Sequence, residues 1–518
     1  MPNPEMASCF QLANLGHAQS FERQFSRWTM LGLAFAILNT WSALAASLNL
    51  ALPSGGPVAV GWGLVVAGVF NLALAASLAE FLSAFPTAGG QYYWVAICSP
   101  PSLRAGMSWI TGWVNLSGWV ALVATNASIC STLIINIIYL MHPSYDFHRW
   151  HQFLIYIGIT LIFFLNNALL QRVLPQLNGF AICWSLVGFL VVCITVLACA
   201  APDYATGEYV FATFINTTGW PDGPAWLLGL LQGSFSLTAF DAVAHLSEEI
   251  PNPSVEGPKI MVYCVLIGIG TGWLFQVVLL FVSGGLVNSE DVINSPAGPL
   301  LQISYIATRN KAGAVCLLIL PLMCFIFGGT AVMTTSSRMT FAVARDGMLP
   351  VSAFWWKLNQ KLGVPLNALF LNVFVVIVFG CIYLGSNVAF NAVTASSVVA
   401  LGISYALPPA MNMLYLRRKL PPRPFAMPEW LGWTANILGV GTIYHPDNRA
   451  ISVPTWRPVT ASNMNYCIVA FGIIILISGL QWIFDGRKNY AGPRITVDEG
   501  VVAGGEPNQG KEQLSKAQ

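Results

Sequence analysis

One carboxylate stands where the surrounding sequence is built for a membrane. Asp241 lies inside the mostly apolar stretch from Trp226 to Lys259. A charged side chain at mid-membrane costs about 2.5–3.5 kcal/mol on insertion scales, so it is rarely idle. Its types and spacing allow three kinds of chemistry: pairing with a substrate amine, carrying a coupling proton, or holding an opened helix by hydrogen bonds. Ser236 and Thr238, just before it, can bond backbone groups released where a helix opens. Phe235 and Phe240 flank Leu237 and offer either a cage for an ammonium group or ordinary packing. His245 follows one turn later on the same helical face, a candidate proton participant or a structural histidine. Glu248 and Glu249 close the stretch before a proline-rich turn. The pattern predicts a broken helix lining a binding site.

A second interruption occurs in the first apolar run, where Asn39, Thr40 and Ser42 surround Trp41. If this helix unwinds there, its freed carbonyls and amides face a cavity, and Trp41 supplies an aromatic face for a cation. The plainer alternative is a continuous helix whose polar residues glue it to neighbours. A third cluster sets Glu80 shortly before Gly89-Gly90, with Tyr92, Tyr93 and Trp94 at an interface. Glu80, Glu248 and Glu249 fall on one side with Arg338 and Arg345. They form either a gate of ion pairs or solvated juxtamembrane charge.

These groups need helices to hold them. The chain of 518 residues is 56% hydrophobic and only 8% charged, against about 25% charged for soluble domains. That predicts an all-α, polytopic membrane protein. Runs of about 20 apolar residues place twelve spans, near 29–51, 58–84, 105–140, 152–170, 177–200, 225–247, 258–286, 312–343, 365–385, 388–416, 430–443 and 464–485. With the N-terminus in the cytosol, the outside receives only Arg149, Arg309, Lys311, Arg449 and Arg457 of the 23 lysines and arginines. Both termini are therefore expected to be cytosolic. The expected organisation is a tail over 1–28, a core over 29–416 in two repeats (29–200 and 225–416), two accessory helices over 417–487, and a tail over 488–518. The external loop before span six holds Asn216-Thr217-Thr218, an N-glycosylation candidate. His142, His148 and His151 read as a solvated loop. The eleven cysteines are scattered without CxxC, so neither a metal nor a cofactor is expected. A net charge of +2 gives no reason to invoke nucleic acid. There is no P-loop and no hydrolase motif, so an enzyme is not expected. Small solute and lipid are the expected partners.

The two halves echo each other. Leu52-Pro-Ser-Gly-Gly-Pro57 joins spans one and two, and Ile250 to Pro258 joins spans six and seven; both close on Gly-Pro. The offset that aligns these junctions carries Asn39-Thr40-Trp41 onto Phe240-Asp241-Ala242. Five spans per repeat force the second repeat to be inverted, and paired interrupted helices point to a secondary transporter's site.

Several stretches resemble a known family. Ser77-Leu-Ala-Glu80, Ser83 and Pro86-Thr-Ala-Gly-Gly-Gln-Tyr92 are similar to the signature of the amino acid–polyamine–organocation superfamily. Phe240-Asp241, Glu248-Glu249-Ile-Pro-Asn-Pro, Ser336-Ser-Arg-Met-Thr-Phe-Ala, Ala344-Arg-Asp-Gly347, Pro458-Val-Thr and Met464-Asn-Tyr resemble its fungal amino acid/choline transporter branch, over roughly residues 25 to 495. The resemblance implies a five-plus-five inverted repeat with broken helices one and six plus two extra helices. It implies alternating access driven by a proton gradient, and a site at Asn39, Thr40, Trp41, Ser236, Leu237, Thr238 and Asp241. The expected function is plasma-membrane transport of choline, γ-aminobutyrate, an amino acid or a related amine, by symport. Export of a nitrogenous metabolite and non-transporting nutrient sensing are the alternatives. Three departures stand out. The break in span one lacks the superfamily's glycines, Ala239 replaces the usual Gly before Phe-Asp, and span eleven stops after Ile443. The first two weaken a carboxylate nest and favour an amine. The third is either a half-span or sequence wrongly retained in the gene model.

Overall fold

The computed structural model describes residues 21, 23–283, 292, 295–444 and 466–493. Among these the chain is helical, and the only strand-like pairings are two isolated bridges, Ser54 with Asn216 and Asn359 with Val364. Among the described residues, ten helices are long and apolar enough to cross a membrane. They correspond to spans one to five, seven to ten and twelve.

The two remaining spans are spans six and eleven. Span six is divided into Asp222–Ser236 and Ala242–His245. Span eleven is described over Glu429–Tyr444. The polar stretch predicted to interrupt it, residues 445–465, lies outside the described residues, as do the tails over 1–20 and 494–518.

Packing puts the interrupted helices at the centre. Span one is 83% buried over its apolar window, whereas span twelve, Cys467–Asn489, is 17% buried. Span one lies against spans five, seven and eight; span two, Gly56–Ala84, carries spans six and seven; span three, Arg104–Met141, carries spans eight and ten. The outer surface bares Leu154, Phe180, Ile194, Phe374 and Ile475. Apolar surface of that kind on a helix bundle is satisfied by lipid tails. The chain is an integral, multi-pass membrane protein.

Close contact in the bundle rests on small residues. A Cβ on Gly329 of span eight would lie 2.1 Å from the Phe163 ring of span four. Gly329→Ala is expected to destabilise the protein by about 1–3 kcal/mol through overpacking. A lower melting temperature, read by loss of the monodisperse size-exclusion peak, is the check.

Candidate functional site

Both interruptions lie within helices that the sequence marked. Span one ends its first helix at Leu38 and restarts at Thr40, with Asn39 left-handed (φ 45, ψ 37) between them. Asn is among the few side chains that visit this region routinely. The Asn39 N–H still closes the first helix on the Phe35 carbonyl at 2.9 Å. The break leaves the last carbonyls of one helix and the first amides of the next without helical partners. The Asn39 side-chain amide is buried and its Nδ2 has no hydrogen-bond acceptor; the Thr40 hydroxyl is likewise unpaired.

In span six the helix stops at Ser236 and resumes at Ala242. Ser236 Oγ donates to the Gly233 carbonyl at 2.9 Å, and Thr238 Oγ1 donates to the Ser234 carbonyl at 2.7 Å. Phe235 is half-buried, and Leu237 and Phe240 are buried. Ala239 holds the turn with φ 74. A Cβ in the left-handed region costs roughly 1–2 kcal/mol, so Ala239→Gly is expected to stabilise the protein by about 1 kcal/mol. A raised melting temperature with unchanged oligomeric state is the expected reading.

Asp241 is fully buried, accepts from Gln91 and Tyr405 and lies within hydrogen-bond distance of His245. Gln91 Nε2 lies 2.7 Å from Oδ2, Tyr405 Oη lies 2.5 Å from Oδ1, and His245 Nε2 lies 3.1 Å from Oδ2. The three come from the short helix Gln91–Cys98, from span ten and from span six itself. The Phe240 ring tilts against Tyr405 at 5.0 Å between centroids. In this conformation the carboxylate ties the break in span six to two other elements.

Trp41 is held by residues of spans five and seven. Its Nε1 donates to Ser185 Oγ of span five at 2.8 Å. Its ring meets Phe189 and Phe275 edge-on at 6.4 and 5.2 Å, and it is 0% exposed. Thr40 packs on Gly268 of span seven. Ser42 is buried one residue beyond Trp41. So Thr40 and Trp41 face helices outside the cluster around Asp241.

The acidic residues meet arginines. Glu249 pairs with Arg338 at 2.7 Å and Glu248 with Arg345 at 3.0 Å, all four nearly inaccessible. Phe21 covers the Arg338 guanidinium at 4.8 Å, and the Phe25 N–H reaches the Glu249 carbonyl at 3.2 Å. Glu80 joins different partners from those expected. It pairs with Arg417 at 2.8 Å and with Arg423, and accepts the Met427 N–H at 2.9 Å. The reason is that the segment after span ten folds back over the end of span two. At the opposite end, the Asn216 amide donates to the Trp220 carbonyl and to Asp222, and Thr218 bonds Asn216 Oδ1.

Sequence reasoning assigned no role to Gln91, Tyr405, Arg417, Arg423 or Phe21. Gln91 sits in the quoted Gly-Gly-Gln-Tyr run, but its partner is 150 positions away. Tyr405 follows Ser404 inside span ten with no local signal beyond that polar pair.

A bundle of lipid-facing helices that encloses two opened ones, with a buried carboxylate at one opening, defines a multi-pass membrane carrier. The chain belongs to the amino acid permease family, whose profile it matches over residues 25–477. It is therefore a membrane transporter and not an enzyme. Relatives lie in fungi and plants. An uncharacterized amino-acid permease of Schizosaccharomyces pombe is 32% identical over 94% of this chain and 90% of its own. The choline transporter of Saccharomyces cerevisiae is 30% identical over 90% of this chain and 82% of its own. Amino-acid permease BAT1 of Arabidopsis thaliana is 30% identical over 93% and 95%. Among solved structures, a manganese transporter of Eremococcus coleocola shares the fold with a TM-score of 0.52, at 14% identity over 94% of this chain and 97% of that one. Among the described residues no cluster of His, Cys, Asp or Glu is suited to hold a metal ion.

Proposed function

We propose that the chain is a secondary transporter of a small nitrogenous solute bearing an amine or quaternary ammonium group, working by alternating access and coupled to protons. The observation that carries this reading is the pair of openings at Asn39 and at Leu237–Asp241 in two buried helices. A membrane protein leaves backbone groups unpaired only where they line a cavity or meet protein. Asn39 Nδ2 is a buried donor awaiting an acceptor. The solute's polar groups supply partners for Asn39 and for the freed backbone of Ser236, Leu237 and Thr238. Relatives named for choline and amino-acid transport fit this size and chemistry.

Spans one to five and six to ten form the inverted repeats, and the arginine-rich face is cytosolic in the plasma membrane. The Glu249–Arg338 and Glu248–Arg345 pairs then seal the cytosolic route in this conformation. Inward opening separates them. A membrane potential, negative inside, draws a cation inward by about 2.3 kcal/mol per charge per 100 mV, which suits uptake of an amine.

Cells expressing the chain are assayed for uptake of radiolabelled choline, γ-aminobutyrate and a panel of amino acids. Saturable uptake of at least one over vector-only cells is expected. Surface-expressed protein that moves none of them in either direction would overturn the reading.

A further inference from the structure

Hydrogen-bond direction around His245 fixes how many protons this part of the molecule holds. The imidazole is 1% exposed. Its Nδ1 lies 2.9 Å from the Ala88 carbonyl oxygen, and its Nε2 lies 3.1 Å from Asp241 Oδ2. A carbonyl only accepts, so Nδ1 carries a hydrogen. The second contact also needs one, either on Nε2 or on the carboxyl. An ionised Asp241 beside a neutral imidazole protonated on Nδ1 would leave two lone pairs facing each other in a buried site. The other tautomer only moves that conflict to Ala88.

We propose that Asp241 and His245 together hold one transferable proton, bound between Nε2 and Oδ2, and that this pair is the proton-coupling site of the transporter. This rests on the transport reading above. Loading adds one proton to the pair from one side of the membrane; release gives it to the other. No bond other than the N–H or O–H changes.

The surroundings make the proton mechanical as well as electrostatic. When it leaves, the Ala88 and Asp241 contacts cannot both persist, so the ring must leave one of them. Ala88 belongs to the loop between span two and the short helix, and that loop lies on the ring. Gly90 has φ 54, and a Cβ there would stand 3.1 Å from His245 Cε1. The same short helix supplies Gln91 to Asp241. Deprotonation therefore loosens the His245 ring's hold on either the Ala88 loop or Asp241, while Gln91 and Tyr405 keep donating to the carboxylate.

The other groups facing the pair are few. Span ten contributes Tyr405, whose hydroxyl donates to Asp241. Span three contributes Trp119, edge-on to the imidazole at 5.8 Å and 90°, with its Nε1 buried and unpaired. The short helix contributes the neutral Gln91. On span six the next charges are Glu248 and Glu249, already held by Arg345 and Arg338. One proton and one ion-pairing partner suffice to account for the electrostatics.

Trp119 serves as the reporter, since a charge change on the imidazole alters the emission of an indole in ring contact. Purified full-length protein is titrated across roughly pH 4 to 10, which spans the reference range from carboxylate to tyrosine. Wild type is expected to show a one-proton fluorescence step that vanishes in Trp119→Phe, in His245→Gln and in Asp241→Asn. Tyr405→Phe keeps both partners and is expected to retain the step with a moved midpoint. A step that survives in both His245→Gln and Asp241→Asn overturns the proposal, as does a wild type with no Trp119-dependent step. Because no solute is present, such a failure leaves the transport reading standing. A protein that titrates as expected but moves none of the assayed solutes fails the transport reading instead.

Discussion

Asp241→Asn is expected to abolish proton-driven uptake while leaving the protein in the membrane. The substitution keeps the size of the side chain but removes the ionisable carboxyl that Gln91, Tyr405 and His245 all contact. Hydrogen bonds to a charged group contribute about 1.5–3 kcal/mol each, so the break in span six loses its main tie. A carrier that no longer moves a proton accumulates its solute only as far as the solute's own charge is drawn inward, and loses the contribution of the coupled proton's charge. A driving potential of about 2.3 kcal/mol per charge per 100 mV corresponds to roughly 50-fold accumulation, and this factor is the expected loss. Uptake in sealed vesicles with and without an imposed proton gradient, normalised to protein in the membrane, measures it. Unchanged gradient-driven accumulation in the variant would remove Asp241 from the mechanism.

The second large effect is expected at the arginine-rich face. Glu249 and Arg338 are each about 1% exposed and bonded at 2.7 Å. Removing one partner of a buried pair costs about 3–5 kcal/mol because the other charge is left uncompensated. Where that pair exists only with the face closed, Glu249→Gln shifts the conformational balance toward opening by roughly 100-fold or more. The measurement uses Ser247→Cys, a position 2% exposed beside the pair. Its labelling by a membrane-impermeant thiol reagent, applied to the arginine-rich face, is compared with and without Glu249→Gln. Much faster labelling in the double variant is the expected result. Restoration of the slow rate by the charge swap Glu249→Arg with Arg338→Glu separates gating from general loosening. Equal labelling rates in all three would rule out the gate.

Much of the architecture was legible because membrane physics leaves few options. A run of apolar residues must be a helix in lipid, and a polar interruption must be tolerated by something. Asn39 and the Ser236–Asp241 stretch were visible for that reason. The structure breaks its helices at Asn39 and around Ala239, and Ala239 adopts the positive φ for which Gly is the usual choice. Direction around a helix was not legible. Thr40, Trp41 and Ser42 project about 100° apart, and nothing local says which of them faces inward. Trp41 proves to be anchored on Ser185, 144 positions away. Pairing across the bundle was equally hidden. Glu80 could be placed at one membrane face, but its choice of Arg417 and Arg423 over Arg338 depends on how the chain returns after span ten.

The carrier reading rests on the two openings receiving the solute, and a structure determined with a transported solute bound tests that most directly. The account predicts solute density in contact with Asn39 and with the Leu237–Thr238 backbone. Density lodged elsewhere, with Asn39 still unpaired and the opening in span six empty, would contradict it.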